Sequence, residues 1–452
     1  MECMPTVTLS TSPGPLILEA RREPQVCYVL LTVRAAATGD AGARPVNWAL
    51  VADASRSMRI PIVDETQFRS LLRNGSAQET LVDGVPVWQL SGSAPQEVCK
   101  AASSALDHVV HALHTVVERL DRNDRLSLVV FADHALLLIP GMVGSDRVTL
   151  VRAIERLPGL DLGDGTNLAD GIALALNQIR TNRNAHRANR VLLLTDGFTR
   201  DPAACLMLAD QAADEHIAIT TIGLGGEFQD DLLTAIADRS GGNALFLKRA
   251  SAIPRAISAE LETARATALP AVDIAIAPMR GVMLRRVTRT RPVLATLAEP
   301  TGAGASDVVS VLLGDLPAGS PVTLLLEFLV LAANPGPLWI AGVAARSAGV
   351  RLAEADIRAT IAHGAPPLSD DLRAAAARAM AARLMRRAIA ASDSIEAARL
   401  MRAAAARFDE LGESALAAAA REQAATIERN GRAASIVTHE LIYATRRLGD
   451  AS

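Results

Sequence analysis

Carboxylate and hydroxyl side chains occur at five predicted loop positions that could meet in the folded chain. They are Asp53, Ser55, Ser57, Thr166 and Asp196. The first three come directly after the apolar run at 46–52, where a carboxylate followed at alternate positions by two hydroxyls gives one tight turn three oxygen ligands. Oxygen ligands of low total charge suit Mg²⁺ or Mn²⁺, which keep several waters and accept a further carboxylate from outside. The spacing therefore predicts a divalent-metal site that can dock an acidic ligand.

A purely local role is the alternative for each of these residues taken singly. Asp53 can cap the turn or helix that follows it, and Ser55 and Ser57 can satisfy nearby backbone amides. Asp-x-Ser-x-Ser alone occurs often by chance. The two later positions, each in its own loop, favour metal binding for the whole set.

An α/β pattern has to position these side chains. Between residues 46 and 262, apolar runs of strand length alternate with amphipathic helical stretches, which indicates a doubly wound, Rossmann-like parallel sheet covered on both faces. The predicted strands are 48–52, 126–131, 191–195, 218–224 and 244–247, and the predicted helices are 98–120, 146–157, 168–181, 201–215 and 229–239. Such sheets bind ligands at the carboxyl ends of their strands. Asp53 and Asp196 each follow a strand, so both are expected at that edge.

Two β-patterned segments flank the α/β region. Residues 1–45 and 265–363 contain alternating, strand-like runs broken by Pro and Gly. Because an isolated pair of strands cannot bury a core alone, both segments are predicted to form one β-sandwich, with the domain at 46–262 inserted between them.

The last segment, 367–452, is rich in Ala and Arg and predicts a C-terminal helical bundle. Ser369 is the expected N-cap of its first helix, and Ser394 is the expected N-cap of the second.

Composition limits the classes of function. The chain has 452 residues, with 50% hydrophobic and 21% charged residues and a net charge of −3, which indicates a globular protein and gives no reason to expect nucleic-acid binding. Four cysteines without CxxC spacing suggest neither a zinc site nor a disulfide framework. The N-terminus lacks the pattern of a signal peptide, and no stretch is long and apolar enough for a membrane span. A cytoplasmic location is expected.

The ordered set resembles the metal ion-dependent adhesion site (MIDAS) of the von Willebrand factor A (VWA) family. That family has Asp-x-Ser-x-Ser after its first strand, a Thr in a later loop and Asp-Gly after its fourth strand, and the chain matches this pattern in order over about 46–262. The resemblance implies that the hydroxyls contact the metal and that the two carboxylates hold it directly or through water. The insertion into a β-sandwich is similar to intracellular bacterial VWA proteins, and such proteins often resemble partner subunits of AAA+ ATPases.

Two features depart from the family pattern, and both lie beside the serines. Arg56 stands where the family usually has Gly, so it either strains the turn and opposes the metal or points outward and binds the incoming carboxylate. Residues 59–97 form an insert with a hairpin signal around Asp83-Gly84. The hairpin is either a lid that selects partners, with Trp88 as a contact, or a surface hairpin whose Trp88 packs on the domain.

The sequence favours a non-catalytic, Mg²⁺-dependent protein-binding or scaffold protein, whose partner supplies an acidic residue. An AAA+ ATPase is one candidate partner. The alternative is a metal-dependent hydrolase or phosphoryl-transfer enzyme that uses the same site. The motif brings hydroxyls to the metal but positions no His, Cys or additional Glu as a base, which disfavours catalysis. A scaffold that no longer binds metal is a third reading.

Overall fold

A six-stranded sheet forms the centre of the molecule in the computed structural model. The structure describes residues 6–12, 16–36, 44–60, 69, 71–73, 75–82, 85–90, 103–184, 187–225, 228–300, 307–331, 334–347, 349–430 and 435–449. The central strands are β4 (Val46–Asp53), β7 (Arg125–Phe131), β8 (Ala135–Val143), β9 (Ala188–Thr195), β10 (Ala218–Leu224) and β11 (Ala244–Leu247). Their order is β11-β10-β9-β4-β7-β8. All the neighbours pair in parallel except β7 and β8, so the predicted parallel sheet is confirmed.

Helices cover both faces of this sheet. They are α1 (Ala105–Arg119), α2 (Arg147–Glu155), α3 (Leu168–Thr181), α4 (Pro202–Asp214), α5 (Asp230–Ser240) and α6 (Ile253–Arg265). Alternate residues of β4 enter different cores: Leu50 packs with α1 and α6, whereas Val51 packs with α3 and α4. The sheet is therefore doubly wound, as the continuous apolar strands predicted.

The N-terminal and the later strands build the β-sandwich together. One sheet has the order β1-β3-β16-β13-β14 and the other has the order β15-β12-β17-β18-β2. The strands are β1 (Val7–Ser12), β2 (Leu16–Glu19), β3 (Gln25–Ala35), β12 (Thr267–Pro278), β13 (Val282–Arg291), β14 (Ala295–Ala298), β15 (Val309–Pro317), β16 (Val322–Val330), β17 (Gly336–Ser347) and β18 (Val350–Ala362). Both sheets contribute to one apolar core, which holds Leu31, Phe328 and Ile340. The α/β domain is inserted between β3 and β12, and the residue boundaries of the domains stay predictions.

Four helices complete the described part of the C-terminal region. They are α7 (Asp370–Ala390), α8 (Ser394–Glu410), α9 (Ser414–Asn430) and α10 (Ser435–Arg446). The Ser369 hydroxyl accepts a hydrogen bond from the Leu372 amide, so the predicted cap is confirmed. The prediction that Ser394 caps α8 is wrong, because the Asp393 carboxylate accepts from the first free amides and Ser394 is already helical.

The insert hairpin and the start of α1 are two local features of the central region that the sequence predicted. The hairpin in the insert is present, as antiparallel strands β5 (Ala77–Val82) and β6 (Val85–Leu90). Helix α1 begins at Ala105 rather than at 98, because Ser104 and Asp107 form a capping box that satisfies the first amides there. None of the helices that the structure describes is long and apolar enough to cross a membrane.

Candidate metal site

Asp53 forms the base of the candidate site. It is the last residue of β4 and is fully buried. Its carboxylate accepts hydrogen bonds from the Ser55 amide at 2.9 Å and from the Thr195 hydroxyl at 2.6 Å. Burial raises the pKa of this carboxyl group, and the hydrogen bonds oppose that shift only in part. Among the described residues no Lys, Arg or His pairs with it, so its charge lacks a cationic side chain.

The two serines and Asp196 extend from this base towards solvent. The Ser55 and Ser57 hydroxyl oxygens lie 3.1 Å apart, and the Ser57 hydroxyl donates to an Asp196 carboxylate oxygen at 2.7 Å. Asp196 directly follows β9, which pairs with β4 in parallel, so adjacent strand ends bring the two motifs together. Ser55 is buried whereas Ser57 is exposed, which places the oxygens in a line from the interior to the surface.

Thr166 reaches the same edge from a third loop. The amide of Asn167 donates to the Ala132 carbonyl at 2.7 Å, which ties this loop to the end of β7, and the Asn167 side chain caps α3. A Cβ on Gly197 would lie 3.1 Å from the Thr166 hydroxyl oxygen, so Thr166 sits directly against the residue after Asp196. The structure thus brings all five predicted side chains to one edge, and their assignment as metal ligands stays a prediction.

Arg56 is exposed and its backbone is unstrained. Its φ of −57° and ψ of −38° are right-handed helical, so this position does not require the freedom of glycine. Within the described part of the chain the guanidinium makes neither a hydrogen bond nor an ion pair. The predicted cost of replacing Gly is therefore absent.

Arg59, which the sequence analysis did not select, fixes the serine loop. Its guanidinium donates to the carbonyls of Ala54 at 3.0 Å, Pro158 at 2.7 Å and Leu160 at 2.5 Å. Met58 beside it is fully buried. These contacts connect the serine loop to the segment that precedes the Thr166 loop, and the sequence carries no spacing signal for such long-range contacts.

Phe198 and Arg200 were also missed, although both follow Asp196 closely in the chain. Phe198 is 60% exposed, and the Arg200 side chain is 83% exposed. An Arg200 nitrogen lies 3.9 Å from a carboxylate oxygen of Asp133, whose other described contact is with the Gly165 amide. The signal in the sequence is a phenylalanine directly after Asp196 and Gly197, at the end of a predicted strand.

Two other predictions concern residues outside this cluster. The backbone of Trp88 pairs with Glu79 in the hairpin, and its side chain lies outside what the structure describes. In the described ranges, no three His, Cys, Asp or Glu side chains come together as a metal-binding group. The predicted ligand set itself contains two carboxylates, Asp53 and Asp196, and its remaining members are hydroxyls.

A doubly wound sheet with an oxygen-rich site at its carboxyl edge defines the class of the central domain. The chain contains a von Willebrand factor type A domain, because the model of that domain matches residues 98–259. The match includes Thr166 and Asp196 and begins after the serine loop, from which the insert separates it. A second model, the Sll0103-like, C-terminal alpha-helical domain, matches residues 370–451.

The chain is also similar to curated relatives over part of its length. It is 29% identical over 148 residues to the uncharacterized protein sll0103 of Synechocystis sp., covering 32% of this chain and 34% of that protein. It is 24% identical over 155 residues to the uncharacterized protein YfbK of Escherichia coli, covering 33% of this chain and 26% of that one. The matches thus span about a third or less of these relatives.

Solved structures share the fold over nearly the whole chain. A von Willebrand factor type A protein from Catenulispora acidiphila superposes with a TM-score of 0.73 at 16% identity, covering 98% of this chain and 97% of that one. The ArnB paralog VWA2 from Sulfolobus acidocaldarius gives a TM-score of 0.52 at 12% identity, covering 99% and 100%. Because the first match covers nearly both chains, the similarity extends beyond the central domain.

Proposed function

We propose that the protein is a non-catalytic protein-binding or scaffold module in which Mg²⁺, or Mn²⁺, at the Asp53 site binds an acidic residue of a partner protein. The observation that carries this proposal is the buried Asp53 carboxylate, which pairs with no cationic side chain among the described residues and lies beneath an open cluster of oxygen atoms. A VWA domain by itself suggests a role in protein interaction.

The donor set fits a hard divalent cation. All five side chains offer oxygen, and two carboxylates balance the charge of one divalent ion. A cation would also offset the cost of burying the Asp53 charge, which is large when a charge has no partner. Ser55, Ser57 and Thr166 are neutral, so the ion would keep enough positive charge to attract an outside carboxylate.

Metal binding can be tested by thermal unfolding with Mg²⁺, with Mn²⁺ and with EDTA. A ligand that binds only the folded state stabilises it by about 2.7 kcal/mol at a hundredfold excess over Kd. The shift is expected in the unmodified protein and should disappear in Asp196→Ala. Asp214→Ala, which removes an exposed carboxylate at the end of α4, is the matched control and should keep the shift. The proposal fails if neither metal stabilises the unmodified protein.

The non-catalytic part of the proposal is tested separately. Phosphatase and nuclease activity are measured with and without Mg²⁺ on the unmodified protein and on Asp53→Ala. We expect no turnover that depends on Asp53. Metal-dependent turnover that Asp53→Ala abolishes would instead identify the hydrolase or phosphoryl-transfer enzyme named as the alternative.

An AAA+ ATPase as the partner is a narrower proposal that rests on the family resemblance alone. Affinity capture from the native cell, in Mg²⁺ and in EDTA, tests it with Asp196→Ala as bait control. An ATPase retained only by the unmodified protein in Mg²⁺ supports this partner. Capture that is independent of both metal and Asp196 contradicts it.

A further inference from the structure

A cavity lies where the VWA domain, the sandwich and the C-terminal helices meet. It has a volume of about 50 Å³ and is enclosed by α5, by β13, β14 and the turn between them, and by α7 and α10. Apolar side chains form much of its wall, among them Leu294, Met385 and Ile442. We call this space the interdomain cavity. It has room for more than one water molecule, so a small ligand can enter it.

Two buried arginines beside the cavity have nitrogen atoms without a hydrogen-bond partner among the described residues. Arg446 lines the cavity and is 7% exposed, and its two terminal nitrogens donate to the Asp238 carboxylate, but its Nε finds no acceptor. Arg289 follows the lining residue Thr288, and one of its terminal nitrogens is also unpartnered, at 3.9 Å from Asp238. A buried donor without an acceptor is unfavourable, so an acceptor bound near these arginines would stabilise the protein.

Arg386 adds a second guanidinium group to the cavity wall, and part of this residue is exposed. Burial lowers its pKa, and the carboxylates of Asp238 and Glu299 offset this lowering only in part. The charges of Arg446 and Arg286 lower the pKa further. Both carboxylates are already bound by other arginines, since Glu299 lies 2.8 Å from Arg286 and Asp238 accepts from Arg446. The carboxylates around Arg386 therefore leave its charge incompletely balanced.

Asp231 is the carboxylate that lines the cavity itself. It is exposed and lies seven residues before Asp238 on α5, so their backbones are about 10 Å apart along the helix. The carboxylate of the preceding Asp230 lies 3.7 Å from the His439 imidazole. Solvent and salt screen the exposed Asp231 charge at that distance. The cavity thus has an exposed acidic residue at one end of its α5 face and a buried arginine at the other.

We propose that the interdomain cavity binds a small organic carboxylate with a short aliphatic chain. The ligand carboxylate accepts hydrogen bonds from the Arg446 Nε and from the Arg386 guanidinium, because planar guanidinium donors match carboxylate geometry. The aliphatic chain packs against Leu294, Met385 and Ile442. Since the wall comes from all three parts of the chain, the bound ligand also holds α7 and α10 in place. The site uses none of the residues of the candidate metal site.

Sodium propionate is the probe, with propionamide as its uncharged analogue and inorganic phosphate as an anion without an aliphatic chain. Ligand-observed NMR titration of the full chain in EDTA measures affinity, and thermal unfolding measures stabilisation. We expect propionate to bind with a Kd on the order of 1 mM and to raise Tm. Propionamide and phosphate should bind at least about tenfold more weakly. Sodium chloride at equal ionic strength controls for general salt effects.

Matched variants locate the bound propionate. Arg386→Gln should weaken it about tenfold, whereas Arg387→Gln, which changes the next side chain, 62% exposed, should leave the affinity unchanged. Ala382→Leu fills the cavity and should abolish binding in a folded protein, because Ala382 is only partly buried. Asp231→Asn should strengthen binding about twofold at low salt, because it removes a charge that repels the ligand.

Four results would contradict the proposal. If propionate neither binds nor stabilises the unmodified protein, the cavity holds only water. If propionamide or phosphate binds as tightly as propionate, the arginines and the apolar wall do not select a carboxylate with an aliphatic chain. Full binding in folded Ala382→Leu would place the ligand elsewhere. Weaker binding in Asp231→Asn would mean that the ligand pairs with this carboxylate and carries a positive charge.

Discussion

The VWA domain uses its polar groups in opposite ways at its carboxyl edge and where the last helix packs against it. At the edge, the buried carboxylate of Asp53 has no cationic partner in the part of the chain that the structure describes, and Arg56 and Arg200 are exposed. At the junction with α10, the Asp238 carboxylate accepts two hydrogen bonds from Arg446, at 2.9 Å and 2.7 Å, and both residues are largely excluded from water. The junction thus pairs its buried carboxylate with an arginine of the same chain, although Arg446 Nε and His439 Nδ1 find no hydrogen-bond partner among the described residues.

Apolar packing shows the same contrast. Phe198 at the edge faces solvent, but the rings of Phe228, Phe246, His439 and Tyr443 stack at the junction. The Phe228 and His439 centroids are 4.6 Å apart, and those of Phe246 and Tyr443 are 5.6 Å apart. We infer that the junction provides stability and that the edge provides binding.

The largest expected effect comes from Asp238→Ala. This change leaves Arg446 and Arg289 buried without their carboxylate, since Arg289 also lies 3.9 Å from Asp238 and burial already lowers its pKa. Removing one partner of a buried pair costs about 3–5 kcal/mol. Urea unfolding and hydrogen exchange of α10 measure the loss.

The control for Asp238→Ala is Glu428→Ala. It breaks an ion pair with Arg402 of 2.6 Å in which both side chains are about half exposed, so it should cost less than about 1 kcal/mol. If the junction and the edge have separate roles, Mg²⁺ should still raise the unfolding temperature of the folded Asp238→Ala variant. Equal losses in the two variants would refute the assignment of stability to the junction.

A smaller loss is expected from Gly314→Ala, where the sandwich meets the VWA domain. Gly314 has a φ of +84°, and a Cβ there would lie 2.1 Å from the carbonyl oxygen of Gly241, which ends α5. Strain of about 1 kcal/mol adds to a backbone clash, for a total of roughly 2–4 kcal/mol. Gly319→Ala, at a φ of +72° with open space around the new Cβ, isolates the strain alone. Thermal unfolding should show a larger loss of stability for Gly314→Ala than for Gly319→Ala. Equal losses would mean that the sandwich and the VWA domain can move apart and relieve the clash.

The sequence predicted the centre of the molecule well because its signals there are local. Buried parallel strands appear as continuous apolar runs, and Asp53 and Asp196 each follow such a run. The strands β8, at the edge of its sheet, and β18, between β17 and β2, were not predicted. Pro140 and Gly141 interrupt β8, and the exposed face of β18 carries charges such as Arg351 and Asp356, so neither presents a clean apolar pattern.

At the site, the sequence predicted the five side chains but not what holds or surrounds them. Arg59 acts through three carbonyls, two of them about a hundred residues away in the chain, and Arg200 lies beside Gly165 of the Thr166 loop. Such contacts depend on tertiary structure and have no fixed spacing. The predicted cap Ser394 failed for a different reason, since Asp393 beside it is an equally good cap and starts the helix one residue earlier than expected.

The smallest expected effect is a pH dependence of the junction through His439. Burial lowers the pKa of His439, so its contribution to stability is present above the unfolded value of 6.5 and is lost as the pH falls through the folded value. Asp230, whose carboxylate lies 3.7 Å from the imidazole, behaves oppositely. Burial and then Asp231 raise its pKa to about 6, so its contribution is present at low pH and is lost as the pH rises through 6.

The pH dependence of stability is compared between the unmodified protein and His439→Phe. Both proteins keep Asp230, Asp231 and the exposed pair Lys248–Glu440, so the difference reports on His439. The stability advantage of the unmodified protein over this variant should shrink between pH 7 and pH 5, because the buried imidazole takes up a proton less readily than it does in the unfolded chain. His111→Phe, on exposed α1 surface, should show no such trend. If the advantage instead grows in acid, a charged His439–Asp230 pair outweighs the cost of burial. The junction would then keep a charged His439–Asp230 pair at low pH within the protein itself. The candidate metal site, by contrast, is proposed to hold its buried charge only when a cation is bound.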